Sequence, residues 1–180
     1  MSSWPLGCSP SGTRAAVPPR ARSSGGSGVT GQLDHGRHAA LAALRVWNDP
    51  AATFRTESFA LLFVTAWNSI AFAVLQREGE EWRDLDETAG PRMVAGRERA
   101  LETGELIASA FGGDRHLGLR RNVEFWIGFR NQVAHRHLPA LDVAILPQAQ
   151  AGLLNLEGVL EDRFGREAGS LGRSSGARTV

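Results

Sequence analysis

The chain has 180 residues, which is room for one ordinary domain with tails, because domains most often run to about 100–150 residues. Its 20 arginines against 19 acidic residues leave a net charge of +1, so no global field draws it to nucleic acid and any such contact must be local. The single cysteine, Cys8, excludes a disulfide framework and a thiolate metal cluster. A reducing compartment, the cytoplasm, is therefore expected.

Both ends of the chain have the composition of disordered segments. Residues 1–36 are rich in Ser, Gly, Pro and Arg and have no acidic side chain before Asp34, so they lack the side chains that build a core. An organellar transit peptide has a similar composition, but it also needs an apolar face that this segment lacks. Residues 166–180 are again rich in Gly, Ser and Arg. We therefore predict disordered tails at 1–36 and 166–180 and one helical domain at 37–165.

The first half of this domain predicts two helices and a loop. The first helix covers about residues 37–47 and stops at Asn48-Asp49-Pro50, because proline disfavours helix before it. The second runs from an N-cap at Thr53 to about residue 76 or 78. Charges and the Gly90-Pro91 pair at residues 79–96 indicate a long loop with room for short strands.

The second half predicts three more helices. One covers about residues 97–111 and ends before Gly112-Gly113. The next begins at a cap on Asp114 and continues to about Arg136, and the last covers about residues 146–164. No convincing alternation of apolar and polar residues marks a strand. The fold class is therefore all-α, a bundle of about four or five helices whose apolar faces cover one another.

The second helix also has the length of a membrane span. No charged residue occurs from 58 to 76, and a span needs roughly 20 apolar residues. However, Thr65, Asn68 and Ser69 follow each other at helical spacing and form a polar stripe along an otherwise apolar helix. The stripe favours a buried helix in a soluble domain, and we expect no membrane association.

One segment carries residues suited to phosphate chemistry, namely Arg130-Asn131 with His135 four residues further on. The planar guanidinium of Arg130 can hold a phosphate, and the imidazole of His135 can exchange a proton near neutral pH. Together they suit attack of an RNA 2′-hydroxyl on the adjacent phosphodiester, with no metal required. On an ideal helix Asn131 and His135 share a face, whereas Arg130 lies roughly 140° around from His135.

The same spacing has a plainer interpretation. His135 and His137 lie near a helix C-terminus, where an imidazolium interacts favourably with the helix dipole. Arg130 would then pair with an acid such as Glu124 or Asp142. An arginine followed at this spacing by a histidine is a frequent pattern, so spacing alone favours this structural role.

Other chemistries find less support in the sequence. His116 with His135 and His137, or His35 with His38, matches no metal-site spacing, and no phosphate loop or nucleophile elbow occurs. We therefore expect no metal and no cofactor. Three tryptophans lie on apolar helix faces and are predicted to pack in the core: Trp47, Trp67 and Trp126. Trp82 lies in the polar loop, where it is free to contact a ligand or partner.

Beyond these patterns, the chain resembles the HEPN superfamily of helical domains, and within it most closely the bacterial family known as domain of unknown function 3644. Arg130-Asn131 with His135 on the penultimate helix of a small bundle is similar to the superfamily signature. The resemblance extends over three blocks and the last helix: Asn48-Asp49-Pro50 with Phe54 to Phe59, Ala66-Trp67, Asn122 to Arg136, and Gln148 to Gly165. It covers nearly all of residues 37–165.

The resemblance implies a metal-independent endoribonuclease, as many HEPN proteins are, with Arg130 and His135 as the catalytic pair and Asn131 as the polar residue beside them. It also implies a homodimer whose two motifs share one cleft, an RNA substrate, and a place in bacterial defence or toxin-like systems. The alternative is a non-catalytic module that binds nucleotide, RNA or protein. Two departures from the pattern concern Asn68-Ser69, where relatives carry an acid, and the chain's end soon after Gly165, which we expect to reflect truncation or unrelated terminal sequence.

Overall fold

Helices dominate the described part of the chain, which is residues 25–86, 90–133 and 144–169 of a computed structural model. The helices are α1 (Gly25–Asn48), α2 (Arg55–Glu78), α3 (Thr103–Ala110), a 3-10 turn η1 (Asp114–His116), α4 (Leu117–Val133), α5 (Leu146–Phe164) and α6 (Arg166–Gly169). This order confirms the predicted all-α bundle, and the bounds of α5 agree with the prediction.

Helix α2 is the centre of the bundle, and its neighbours pack around it. A row of rings links the helices: Phe59 and Phe63 of α2 both contact Trp126 of α4, at centroid distances of 5.0 and 5.8 Å. Trp67, one turn further along α2, contacts Phe111 at the end of α3 at 5.8 Å. All five rings are fully buried. The rings therefore fix α4 and α3 against α2.

Burial of α2 also explains its apolar composition. It is long and apolar enough to cross a membrane by length and composition alone, with a mean hydropathy of 1.8 over its best 18-residue window. Of that window, 67% is buried inside the structure, as in the core helix of a soluble protein. The tryptophan predictions agree with this core, because Trp67 and Trp126 are buried and Trp47 is partly buried and packs on Phe59 with ring centroids 4.9 Å apart.

Helix α1 begins earlier than the composition predicts. Residues 25–36 were expected in the disordered tail, yet they are helical and continuous with the predicted first helix. Gly36 explains part of the difference, because a Cβ at this position would lie 2.7 Å from Ile70 Cγ1, so the glycine lets α1 approach α2 closely. Leu33 packs against the same core. Contacts with α2 thus offset the low helix propensity of a glycine-rich segment.

The predicted loop contains two short hairpins. Strand β1 (Leu85–Asp86) pairs antiparallel with β2 (Gly90–Pro91), and β3 (Met93–Val94) pairs antiparallel with β4 (Arg97–Glu98). Helix α3 therefore begins at Thr103 instead of Arg97, because residues 97 and 98 are held by β3. A capping box between Glu102 and Glu105 marks the true start of the helix.

The structure corrects some further expectations, and others concern residues that it does not describe. Helix α2 begins after Phe54, without a side-chain cap from Thr53, and Asp114 begins η1 instead of capping α4. Trp82 packs on Phe72 of α2 with ring centroids 4.4 Å apart, so it is less accessible than its polar surroundings predict. Of the predicted tails, residues 1–24 and 170–180 are not described, whereas α6 occupies 166–169.

Candidate functional site

Arg130 lies in the last turn of α4, at the edge of the buried core. The buried residues Leu119, Val123 and Trp126 form the inner face of α4. Trp126 lies one turn before Arg130 and packs against the aromatic rings of α2. This contact fixes the rotation of α4 about its own axis. Arg130 is consequently half-buried on the side of α4 that faces α2 and α3.

Two adjoining openings at this position form what we call the polar cleft. The larger, of about 480 Å³, lies between α1, α2, α3 and α4, and the smaller, of about 330 Å³, lies between α2, α3 and the end of α4. Asn68, Thr103 and Arg130 line both openings. Hydrogen-bonding side chains form most of the larger wall: His35, Thr65, Asn68, Ser69, Thr103 and Arg130. Arg130 therefore occupies the junction of the cleft.

The polar stripe on α2 is the wall of this cleft. Asn68 donates from Nδ2 to Thr103 Oγ1 at 2.9 Å, which connects α2 to the first residue of α3. Ser69 Oγ lies 2.8 Å from His35 Nδ1, which connects α2 to α1. Thr65 donates to the carbonyl of Leu61 at 2.8 Å and so satisfies its hydroxyl within the helix. The stripe interrupts the apolar helix at the place where the bundle opens to solvent.

Asn131 holds the guanidinium of Arg130 without cancelling its charge. Its Oδ1 accepts from Nε at 3.2 Å and from Nη2 at 3.0 Å, and no described residue accepts from the remaining N–H groups of the guanidinium. Among the described residues Arg130 forms no ion pair, so it is not paired with Glu124, whereas Asp142, the other partner considered, lies outside the described residues. A positive charge oriented by a neutral amide is a suitable contact for an anion.

The second half of the sequence motif lies outside the described residues. Helix α4 is described to Val133, and His135, His137 and Asp142 fall within residues 134–143, which the structure does not describe. The predicted continuation of α4 to Arg136 falls there too. The structure therefore brings together Arg130 and Asn131 of the predicted site and leaves the position of His135 as a prediction.

Two residues of the cleft were missed by sequence reasoning as parts of a site. His35 was considered only as a metal ligand, and Thr103 was not considered at all. Neither is marked by a local motif, and both reach the cleft through packing of α1 and α3 on α2. Glu102 lines the smaller opening, but its carboxylate belongs to the capping box and contacts Arg99 Nη2 at 3.2 Å.

A larger groove lies on the other side of α4. It has a volume of about 990 Å³ between η1, α4 and α5 and shares no lining residue with the polar cleft. Its arginines are partly neutralised, because Asp162 contacts Arg115 at 3.7 Å and Arg163 at 3.4 Å. Burial, with Arg115 and Arg163 nearby, lowers the pKa of His116 below its ordinary value. The groove is therefore the larger candidate site, whereas the polar cleft contains a guanidinium, that of Arg130, with no ion pair among the described residues.

Within the described ranges, no group of three or more His, Cys, Asp or Glu side chains is arranged to hold a metal ion. His35 instead contacts Ser69, and His116 accepts a hydrogen bond from Arg115 Nε at 2.8 Å. Two of the five histidines named in the metal alternatives, His35 and His116, are thus engaged in other contacts, whereas His135 and His137 lie outside the described residues.

Comparison with known proteins gives a family and no function. No curated protein and no solved structure is significantly similar to the chain. The family model described as "Domain of unknown function (DUF3644)" matches residues 32–174, which spans α1 to α6 with the polar cleft. The chain therefore belongs to this DUF3644 family.

Proposed function

We propose that the chain is a metal-independent endoribonuclease of the HEPN type and that the polar cleft holds the phosphodiester that is cut. The observation that carries the proposal is the guanidinium of Arg130, which lies at the junction of the cleft, is oriented by Asn131 and has no ion pair among the described residues. An arginine in this state binds a phosphate through two parallel N–H···O contacts.

Apart from Arg130 and His35, the described walls of the larger opening carry only uncharged side chains, which suits an anion such as a phosphodiester. Asn68, Thr103 and Ser69 offer amide and hydroxyl groups, which can bind ribose hydroxyls or phosphate oxygens. The described lining of the larger opening includes no carboxylate, so nothing in it repels a phosphate. Arg130 then attracts the negatively charged phosphate, and the wall residues provide the shape of the site and further hydrogen bonds to the ligand.

The proposed reaction is transesterification within the RNA strand. The 2′-oxygen attacks the adjacent phosphorus and loses its proton to a base, while the bond from phosphorus to the 5′-oxygen breaks and that oxygen gains a proton from an acid. The products are a 2′,3′-cyclic phosphate and a free 5′-hydroxyl, so no water, metal or oxidant enters. Arg130 neutralises the charge that develops on the non-bridging oxygens, and His135 transfers protons.

A homodimer belongs to the same proposal. Two-fold symmetry presents the same surface from each subunit, so two copies of the motif helix would meet across one cleft. The resemblance to HEPN proteins supports this arrangement. Sedimentation of the full chain measures it directly, and a strict monomer that cleaves RNA would contradict it.

The test is cleavage of a 5′-labelled single-stranded RNA by the full chain in excess EDTA. We expect cleavage that leaves a 2′,3′-cyclic phosphate. Arg130→Ala should lower kcat/KM by at least about 100-fold, as loss of one contact to a developing oxyanion does elsewhere. Arg130→Lys should retain part of the rate, because it keeps the charge but not the planar fork. His135→Ala should be as inactive as Arg130→Ala.

Arg121→Ala is the matched control, because Arg121 lies nine residues earlier on α4 and lines the groove on the other side. It removes the same charge from the same helix and should leave the rate unchanged. Cleavage that needs a divalent ion, or that survives Arg130→Ala, contradicts the proposed function. Binding of RNA without cleavage by the wild-type chain would favour the non-catalytic module instead.

A further inference from the structure

His35 reaches the same cleft as Arg130 from the opposite end of the chain. It lies on α1, 95 residues before Arg130, and its exposed imidazole lines the larger opening together with Thr65, Asn68 and Arg130. No motif surrounds His35 in the sequence. Its place in the cleft follows from the close packing of α1 on α2 beside Gly36.

Ser69 fixes one ring nitrogen of His35. The distance from Ser69 Oγ to His35 Nδ1 is 2.8 Å, and Ser69 is only 4% exposed, so its hydroxyl is held by the helix around it. A hydroxyl can both donate and accept a hydrogen bond. Ser69 can therefore donate to an unprotonated Nδ1 or accept from a protonated one, and it orients the ring in both states. Either state leaves Nε2 available to a ligand.

RNA cleavage needs two proton transfers, one from the attacking 2′-hydroxyl and one to the departing 5′-oxygen. A single imidazole cannot be base and acid at the same instant, so a second proton-transfer group is required. His35 lines the cleft within the same subunit, whereas a second His135 would have to come from a partner subunit. We propose that His35 is this second group, positioned by Ser69, and that it acts in the same cleft as Arg130. The inference rests on the proposed function. One group accepts the 2′ proton and the other supplies the 5′ proton, so protons balance over the cycle.

The charged surroundings of His35 are simple. Arg130 is the other charged side chain in the described lining of the larger opening. On α1, Asp34, Arg37 and His38 are neighbours in sequence; Asp34 and His38 are exposed and Arg37 is half-buried. Helix α2 contributes no charge between Glu57 and Arg77. On α3, Glu102 lines the adjoining opening and contacts Arg99. A protonated His35 and Arg130 would together favour an anionic phosphodiester.

The first experiment is the pH profile of RNA cleavage by the full chain and its variants. Wild type should give a bell-shaped profile of kcat/KM. His35→Ala and His35→Gln should lower kcat/KM by about 10²–10⁴-fold, the usual contribution of a proton-transfer group, and should lose one limb of the bell. Glutamine keeps a hydrogen-bonding group beside Ser69 but cannot transfer a proton, so it separates catalysis from packing.

His38→Ala is the matched control, because His38 is an exposed histidine on the same helix and does not line the cleft. It should retain the wild-type rate and both limbs. Ser69→Ala should lower the rate less than either His35 variant and should keep both limbs, as a positioning residue would. A His35→Gln variant with the wild-type profile overturns the assignment while the proposed function stands.

A second experiment does not depend on turnover. An oligoribonucleotide with 2′-deoxyribose at the cleavage position binds without reacting, and NMR follows the Cε1–H resonance of His35, assigned from its loss in His35→Gln. We expect the probe to shift this resonance and to leave that of His38 in place. An unshifted His35 resonance with bound probe overturns the inference. Intact RNA after incubation with wild type overturns the proposed function, and this assignment with it.

Discussion

Two glycines of α5 make a matched test of how α5 packs on the rest of the bundle. Gly152 is buried in the middle of the helix, whereas Gly158, less than two turns later, is exposed. Either glycine replaced by alanine gains about 0.5–1 kcal/mol of helix stability, because glycine loses more backbone freedom on folding. This gain in helix stability is common to both variants, so it cancels when their free energies of unfolding are compared.

The difference comes from the space at each site. A Cβ on Gly152 would lie 2.7 Å from Asn122 Oδ1 and 2.8 Å from two ring carbons of Phe63, whereas nothing lies within 4 Å of one on Gly158. Neither neighbour of Gly152 moves easily. Phe63 is fully buried, and the amide of Asn122 donates to the carbonyl of Gln148 at 3.0 Å. Overpacking of this kind costs about 1–3 kcal/mol.

We therefore expect Gly158→Ala to be stabilised by about 0.5–1 kcal/mol and Gly152→Ala to be destabilised by up to about 2.5 kcal/mol, a difference of about 1–3 kcal/mol. At about 2–4 °C per kcal/mol for a chain of this size, the two melting temperatures should differ by roughly 2–12 °C. Urea unfolding followed by circular dichroism measures both free energies. Equal stability of the two variants would refute the packing of α5 against Asn122 and Phe63.

Three further predictions concern single contacts. Burial and Arg115 lower the pKa of His116, so the unfolded chain binds more protons and the free energy of unfolding should fall as pH drops below about 6.5. The melting temperature of His116→Gln should therefore fall less on acidification than that of the wild type. An equal fall would exclude this contribution of His116. Gly79 ends α2 with φ of 74°, a left-handed conformation that a side chain disfavours. Gly79→Ala should therefore lower the free energy of unfolding in urea by about 1 kcal/mol, although no atom lies within 4 Å of the added Cβ. An unchanged urea midpoint would contradict the left-handed cap. A double-mutant cycle on Asn68→Ala and Thr103→Ala should show a coupling of about 0.5–1.5 kcal/mol, whereas zero coupling means that their hydrogen bond does not form.

The elements that agree with prediction are those whose signals are local. Helix α5 occupies Leu146–Phe164, as its apolar spacing and the following Gly165 predict. Helix α2 ends at Glu78 beside the left-handed Gly79, again close to the prediction. The start of α3 was wrong because Arg97 and Glu98 have good helix propensity but are held in a hairpin by β3. That contact is absent from any local window.

The candidate site likewise combines residues that local sequence predicts with residues that only packing brings together. Arg130 and Asn131 are adjacent in sequence and were both predicted as site residues, but the two hydrogen bonds from the guanidinium to the amide oxygen of Asn131 were found only in the structure. The polar stripe at Thr65 and Asn68 was also visible, but its partner was not. Thr103 completes the wall only because α3 packs across α2.

The all-α bundle and the choice of Arg130 as a candidate phosphate contact could both be predicted from the sequence, because helix periodicity and short motifs are properties of neighbouring residues. The surroundings of Arg130 depend on the tertiary structure. Packing of α1 and α3 on α2 placed His35, Ser69 and Thr103 around Arg130, although they are far apart along the chain. The physical reason is that a cleft is made by the gaps between packed helices, and the positions of those gaps depend on contacts between residues distant in sequence.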